Sequence, residues 1–253
     1  MKCISLINQK GGVAKTTSTY NLAAAKAMDR PDGKVLMIDL DPQASLTIAA
    51  GLEPNEERLE GHSTCDLFES QMDPLDAIFS VQASGLDNLY IIPSDITLAE
   101  TEIRLITKMY GAESVLKKAI KKLEGYFDYI FIDCPPQLGR LTINALVAST
   151  EVIIPCPAEY LPYRGLQALL NTIDEIKEVN SNLKIDGIIV TMYESHIKDQ
   201  QSVYDMLAEK ADILGTVRKS TDVKRNTVSG VPVVLAMPSA KTAIEYKEIA
   251  QKI

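Results

Sequence analysis

The segment Lys10-Gly11-Gly12-Val13-Ala14-Lys15-Thr16-Thr17 combines two lysines, a glycine pair and two threonines. An apolar run, Lys2–Asn8, leads into it, and a helix-forming run, Lys15–Met28, follows. That order suits an anion cradle, because glycines let main-chain N–H groups converge and a helix offers its positive N-terminal end. Lys15 can reach the β- and γ-phosphates of a nucleotide, and the Thr16 hydroxyl can ligate Mg2+. The segment Gly11 to Thr17 is therefore the predicted cofactor-binding stretch, with Val13 and Ala14 inside it.

Two further acids follow an apolar run, in Val35-Leu36-Met37-Ile38-Asp39-Leu40-Asp41-Pro42-Gln43. Acids at the C-terminal end of a strand in a doubly wound sheet lie on the edge where ligands bind. Acids before a proline are also a common helix start, so capping alone would account for them if no phosphate loop stood beside them. A second apolar run, Tyr129-Ile130-Phe131-Ile132-Asp133, ends in Cys134-Pro135-Pro136-Gln137-Leu138-Gly139. The proline pair stiffens that turn and Gly139 permits a hinge.

The glycine-rich segment departs from the common phosphate-loop pattern, with Gln9 at its first glycine and Ala14 before Lys15. Instead it resembles the deviant Walker A form of the ParA/MinD family of P-loop ATPases. Ala14 departs from that family's glycine as well. If the backbone there needs a positive φ, alanine costs about 1 kcal/mol or somewhat more. The runs DLDPQ and DCPPQLG are similar to the two switches of the ParA branch.

The resemblance implies a catalytic set of Lys10, Lys15 and Asp41. Lys10 reaches across an ATP-sandwiched homodimer to the partner's phosphates, and Asp41 orients the attacking water. It assigns Thr16, Asp39 and Asp133 to Mg2+, the two acids through water. It further implies slow hydrolysis of ATP, stimulation by a ParB-like protein, non-specific DNA binding, and partition of a plasmid or chromosome. The chain resembles the short, Soj-type form, expected as one domain over residues 1–253 with no N-terminal helix-turn-helix.

Short β-branched runs alternate with longer helical stretches, which predicts an α/β fold of the P-loop NTPase type. Its sheet is doubly wound and mostly parallel, with helices on both faces. Strands are predicted at Lys2–Asn8, Lys34–Leu40, Leu89–Pro93, Tyr129–Asp133, Val152–Pro155 and Ile185–Thr191, with a short one at Pro232–Leu235. Helices are expected at Lys15–Met28, Leu98–Lys108, Ala112–Leu123, Thr142–Ser149, Leu161–Val179, Gln200–Lys210 and Ala240–Lys252. Only a short helix or two is expected within Gly51–Ser84.

The chain has 253 residues, 24% of them charged, and a formal net charge of −8. That balance argues against broad nucleic-acid coverage without excluding a local basic patch. Arg218, Lys219, Lys224 and Arg225 crowd one expected loop, with Asp222 as the single acid among them. They are the DNA-binding candidates, a solvated loop being the competing reading. Cys3, Cys134 and Cys156 sit in apolar runs, and the four cysteines lack metal spacing, which fits a reduced cytoplasmic compartment. The tail Ala240–Ile253 has near-balanced charge and apolar residues suited to packing, so no membrane attachment is expected.

Overall fold

The computed structural model describes residues 1–69, 72–221 and 230–253. Lys224 and Arg225 lie outside the described residues. The sheet consists of β1 (Lys2–Leu6), β2 (Val35–Asp39), β3 (Phe79–Ser80), β4 (Leu89–Ile92), β5 (Tyr129–Asp133), β6 (Glu151–Pro157), β7 (Lys184–Thr191) and β8 (Ile213–Val217). Their order is β3-β4-β2-β5-β1-β6-β7-β8. Pairing is parallel throughout except for β3, which runs antiparallel to β4.

Because strand side chains alternate, each run feeds two cores. Leu36 and Ile38 face one layer, built by α3 (Thr64–Glu69), α4 (Leu98–Thr107), α5 (Val115–Lys122), α6 (Arg140–Ala148), α7 (Tyr160–Ile176) and α8 (Lys198–Ala208). Val35 and Met37 face the other, built by α1 (Lys15–Asp29), α2 (Ser45–Ala49), α9 (Val233–Ala236) and α10 (Lys241–Lys252). Burial on both sides explains why the central strands are apolar at nearly every position. The expected doubly wound α/β fold is the one observed.

Four elements differ from expectation, the first being α2 (Ser45–Ala49), a short helix not among those expected. Pro232–Leu235 is not a strand: Val233–Ala236 forms one helical turn against α1, where Asn21 Oδ1 accepts from Val234 N at 3.1 Å. A four-residue apolar run carries no period long enough to separate helix from strand, and the buried Asn21 decides it. Strand β8 was hidden by Gly215 in its middle, where a side chain would strike Ile249 of α10. Strand β3 is two residues long and carries no pattern. Among the described residues of Gly51–Ser84 the α-helix is α3, with short 3-10 turns around it.

The C-terminal helix packs as its pattern predicts. Tyr246 and Ile249 are buried, the Tyr246 hydroxyl pairs with Ser18 Oγ at 3.1 Å, and Lys26 Nζ donates to the carbonyl of Ile253 at 2.9 Å. Ile253 is buried as well, whereas Ile244 is exposed. Among the described residues no helix is long and apolar enough to cross a membrane.

Candidate functional site

The loop after β1 is stapled to the neighbouring strand ends. Asn8 Nδ2 donates to the carbonyl of Pro155 (2.8 Å), while its Oδ1 accepts from Lys10 N (3.0 Å). Thr191, at the end of β7, donates its hydroxyl to the carbonyl of Val13 (3.1 Å). Val13 is thus a buried anchor of the loop. Ala14 adopts φ 68°, ψ 31°, a left-handed conformation, so the cost expected of alanine there applies.

Helix α1 starts directly behind it. Its first intrahelical bond runs from Ser18 N to Ala14 O (2.9 Å), and the N–H groups of Lys15, Thr16 and Thr17 stand at the end that helix geometry leaves free. Gly12 has φ 73°, and a Cβ on Gly11 or Gly12 would meet no protein atom within 4 Å. The space beside the glycines is room for a ligand. A cleft of about 620 Å³ opens there, and Gly11, Gly12, Ala14, Lys15, Thr16 and Thr17 all line it.

Lys15 is buried, and its Nζ donates to the carbonyl of Lys10 at 3.2 Å. Burial lowers its pKa, with the nearby Asp133 opposing the shift. Lys10 itself reaches outward to Glu159 Oε2 at 3.3 Å, with both side chains well exposed. An exposed pair of this kind is weak and easily exchanged.

Strands β2 and β5 bring Asp39 and Asp133 into register as neighbours. Thr16 Oγ1 donates to Asp133 Oδ2 at 2.6 Å, across the mouth of α1. Burial, then the Asp39 charge, pushes the Asp133 carboxyl up to about 8. Burial likewise raises Asp39 to about 6. Two buried carboxylates that repel each other beside a threonine hydroxyl form a donor set that a cation would relieve. Mg2+ keeps several waters and takes few protein ligands, so one hydroxyl and an adjacent carboxylate fit it. Among the described residues no cluster of three or more His, Cys, Asp or Glu competes for a metal.

The two acids of the first switch-like segment divide their work. Asp39 is fully buried: Oδ2 accepts from Thr47 N (2.9 Å) and Oγ1 (2.8 Å), and Oδ1 from Asp41 N (3.0 Å). Asp39 therefore holds the loop that carries Asp41. Asp41 lines the cleft, its Oδ1 accepting from Gln43 N at 2.9 Å. On the other switch-like segment, Pro136 lines the cleft and Gly139 lies so close to Glu102 that a side chain there would collide with it.

The far wall contains residues the sequence pattern missed: Met192 after β7, Val217 at the end of β8, and Ser220 beyond it. Only the strand-end rule could have pointed to them, and β8 was not recognised. Arg218 and Lys219 line this wall too, so two of the four basic candidates sit at the cleft. Arg218 is held by Glu245 of α10, through Nε (2.7 Å), Nη2 (2.7 Å) and its backbone N (3.0 Å).

A central parallel sheet, a phosphate-loop lysine at a helix start and an Asp-Thr pair define the class of P-loop NTPases. A family model described as an AAA domain matches residues 1–185. The sporulation initiation inhibitor protein Soj of Bacillus subtilis is 35% identical over 260 residues, covering 100% of this chain and 98% of that protein. A cobyrinic acid a,c-diamide synthase of Mycobacterium smegmatis, solved with a bound ATP analogue and magnesium, superposes with TM-score 0.81 at 32% identity, over 99% of this chain and 93% of that one. Cyanothece McdA in an ATP complex gives TM-score 0.83 at 25% identity, over 100% and 95%. The chain belongs to the ParA/Soj-type family of P-loop partition ATPases.

Proposed function

We propose that this chain binds ATP with Mg2+ in the cleft above α1, hydrolyses it slowly, and pairs with a second copy while the triphosphate is intact. The observation that carries the reading is the constellation at the start of α1: buried Lys15, the Thr16–Asp133 pair, and Lys10 on the rim in an exchangeable pair with Glu159. Lys15 and the N–H groups of the loop hold the β- and γ-phosphates. Mg2+ bound at Thr16 would neutralise charge on those oxygens, with Asp133 holding its water shell. Asp41, carried by the loop that Asp39 fixes, orients the water that attacks the γ-phosphorus, giving ADP and phosphate. Met192 and Val217, which line the same cleft, offer apolar surface to the base.

In the dimer, Lys10 leaves Glu159 and reaches the partner's phosphates. Loss of the γ-phosphate removes contacts that exist only in the pair, so hydrolysis separates it. The ATP form binds DNA non-specifically through Arg218, Lys219, Lys224 and Arg225, a ParB-like protein stimulates turnover, and the cycle partitions a plasmid or chromosome. Arg218 must share its charge between Glu245 and DNA phosphate. Lys219, Lys224 and Arg225 therefore carry more of the affinity.

Sedimentation with ATP, ADP and no nucleotide tests the switch. Wild type and Asp41→Ala are expected to dimerise with ATP, Asp41→Ala without releasing phosphate, and Lys10→Ala to bind ATP yet stay monomeric. Normal ATP-dependent dimers of Lys10→Ala would contradict the assignment. DNA binding that is ATP-specific and weakens between two salt concentrations supports partition, and its absence at low salt removes that part.

A further inference from the structure

The second switch-like segment, residues 134–139, is strung between two fixed ends. Asp133 closes β5 on one side, and α6 begins at Arg140 on the other. Pro135 and Pro136 stiffen the segment, and Pro136 lines the cleft. The carbonyl of Gln137 accepts from Thr142 Oγ1 of α6 at 2.5 Å. A short stiff segment moves as a unit about its ends, so whatever holds Gly139 sets where Pro136 stands.

Gly139 has φ −86° and ψ −168°, an extended backbone that any residue adopts. A glycine is needed there for a different reason: the Glu102 carboxylate occupies the space into which a Cβ would project. Glu102 belongs to α4, and its Oε1 also accepts from Leu141 N (3.4 Å) in the first turn of α6. Glycine has no side chain to cap a helix with, so α6 takes its cap from another helix. The carboxylate stands where free N–H groups and the helix dipole favour negative charge. Helix α4 is a firm support, because Leu98, Thr101 and Leu105 are buried and Arg104 pairs with Glu69 and Glu100.

We infer that Glu102 is a positioning residue for ATP hydrolysis. It anchors the pivot of the second switch from α4, and so holds Pro136 and the segment after Asp133 in place beside the γ-phosphate. The inference rests on the hydrolysis proposed above. Glu102 acts through Gly139 and the start of α6. The residues that hold the nucleotide, Gly11 to Thr17, belong to the loop after β1 and the start of α1. Loss of the Glu102 carboxylate therefore falls on turnover and spares ATP affinity.

The test measures phosphate release and Mg-ATP affinity on the full-length protein, with a thermal melt of each variant. Glu102→Ala is expected to lower kcat about fivefold or more, with ATP affinity within about twofold of wild type. Glu102→Gln keeps an oxygen that can accept from Leu141 N and should recover most of that loss. Gly139→Ala should reproduce the defect, because its methyl group displaces the flexible end of Glu102. In the Glu102→Ala background that collision is gone, so adding Gly139→Ala should cost nothing further. Such non-additivity is what a shared contact requires. Wild-type kcat in Glu102→Ala, an equal fall in ATP affinity, or additive losses in the double variant would each overturn the inference. Folded wild type that hydrolyses no ATP would instead remove the proposed activity itself, and the inference with it.

Discussion

Replacing Ala14 by glycine isolates the one backbone position where the phosphate loop departs from its family. At φ 68°, ψ 31°, the alanine sits in a left-handed well that costs an L-residue roughly 1–2 kcal/mol. Glycine removes that cost but adds conformational entropy to the unfolded chain, about 0.5–1 kcal/mol. The difference leaves Ala14→Gly more stable by about 0.5–1 kcal/mol, a rise of roughly 1–4 °C in Tm for a chain of this size. Urea unfolding monitored by far-ultraviolet circular dichroism should show a higher midpoint with an unchanged slope. Mg-ATP affinity should hold or increase, since the loop is relieved of strain in its binding conformation. A loss of 1 kcal/mol or more would mean that the Ala14 conformation is not left-handed in solution, and the reasoning would fail.

Asp133 gives a pH-dependent test. Its folded-state carboxyl is raised from 3.8 to about 8, so the fold binds this proton more tightly than the unfolded chain does. Stability of the nucleotide-free protein should therefore fall as pH rises from about 4 to about 8 and then level off, and Asp133→Asn should flatten the profile in pH-dependent melts. Tyr246→Phe removes the hydroxyl that meets Ser18 inside the core and should cost about 1 kcal/mol in denaturant unfolding. Thr47→Val strips Asp39 Oδ2 of a 2.8 Å hydrogen bond next to the Asp41 loop. It should lower turnover more than ATP affinity, read as kcat against KM.

Much of the architecture was legible because both faces of the sheet are covered. Strands such as Tyr129–Asp133 read as unbroken apolar runs, and the helices carry amphipathic periods. The phosphate loop was legible because glycines, lysines and threonines at fixed spacing have few other uses. Less could be read where tertiary contacts decide. Whether Val233–Ala236 becomes a strand or a turn of helix depends on Asn21, more than 200 residues earlier in the chain. Gly215 looks like a strand breaker until Ile249 of α10 presses against it. The division of labour between Asp39, bonded into its loop, and Asp133, facing Thr16, is equally silent in a run of apolar residues ending in an acid. The basic cluster shows a further limit, since nothing in its spacing reveals that Glu245 claims Arg218.

Isothermal titration of the nucleotide-free chain with ATP in the presence of Mg2+, repeated on Lys15→Ala, tests the account most directly. Saturable binding near one equivalent per chain, lost in the variant while its melt stays cooperative, is the predicted result. Equal binding by both proteins, or none by folded wild type, would contradict a site built on the lysine at the head of α1.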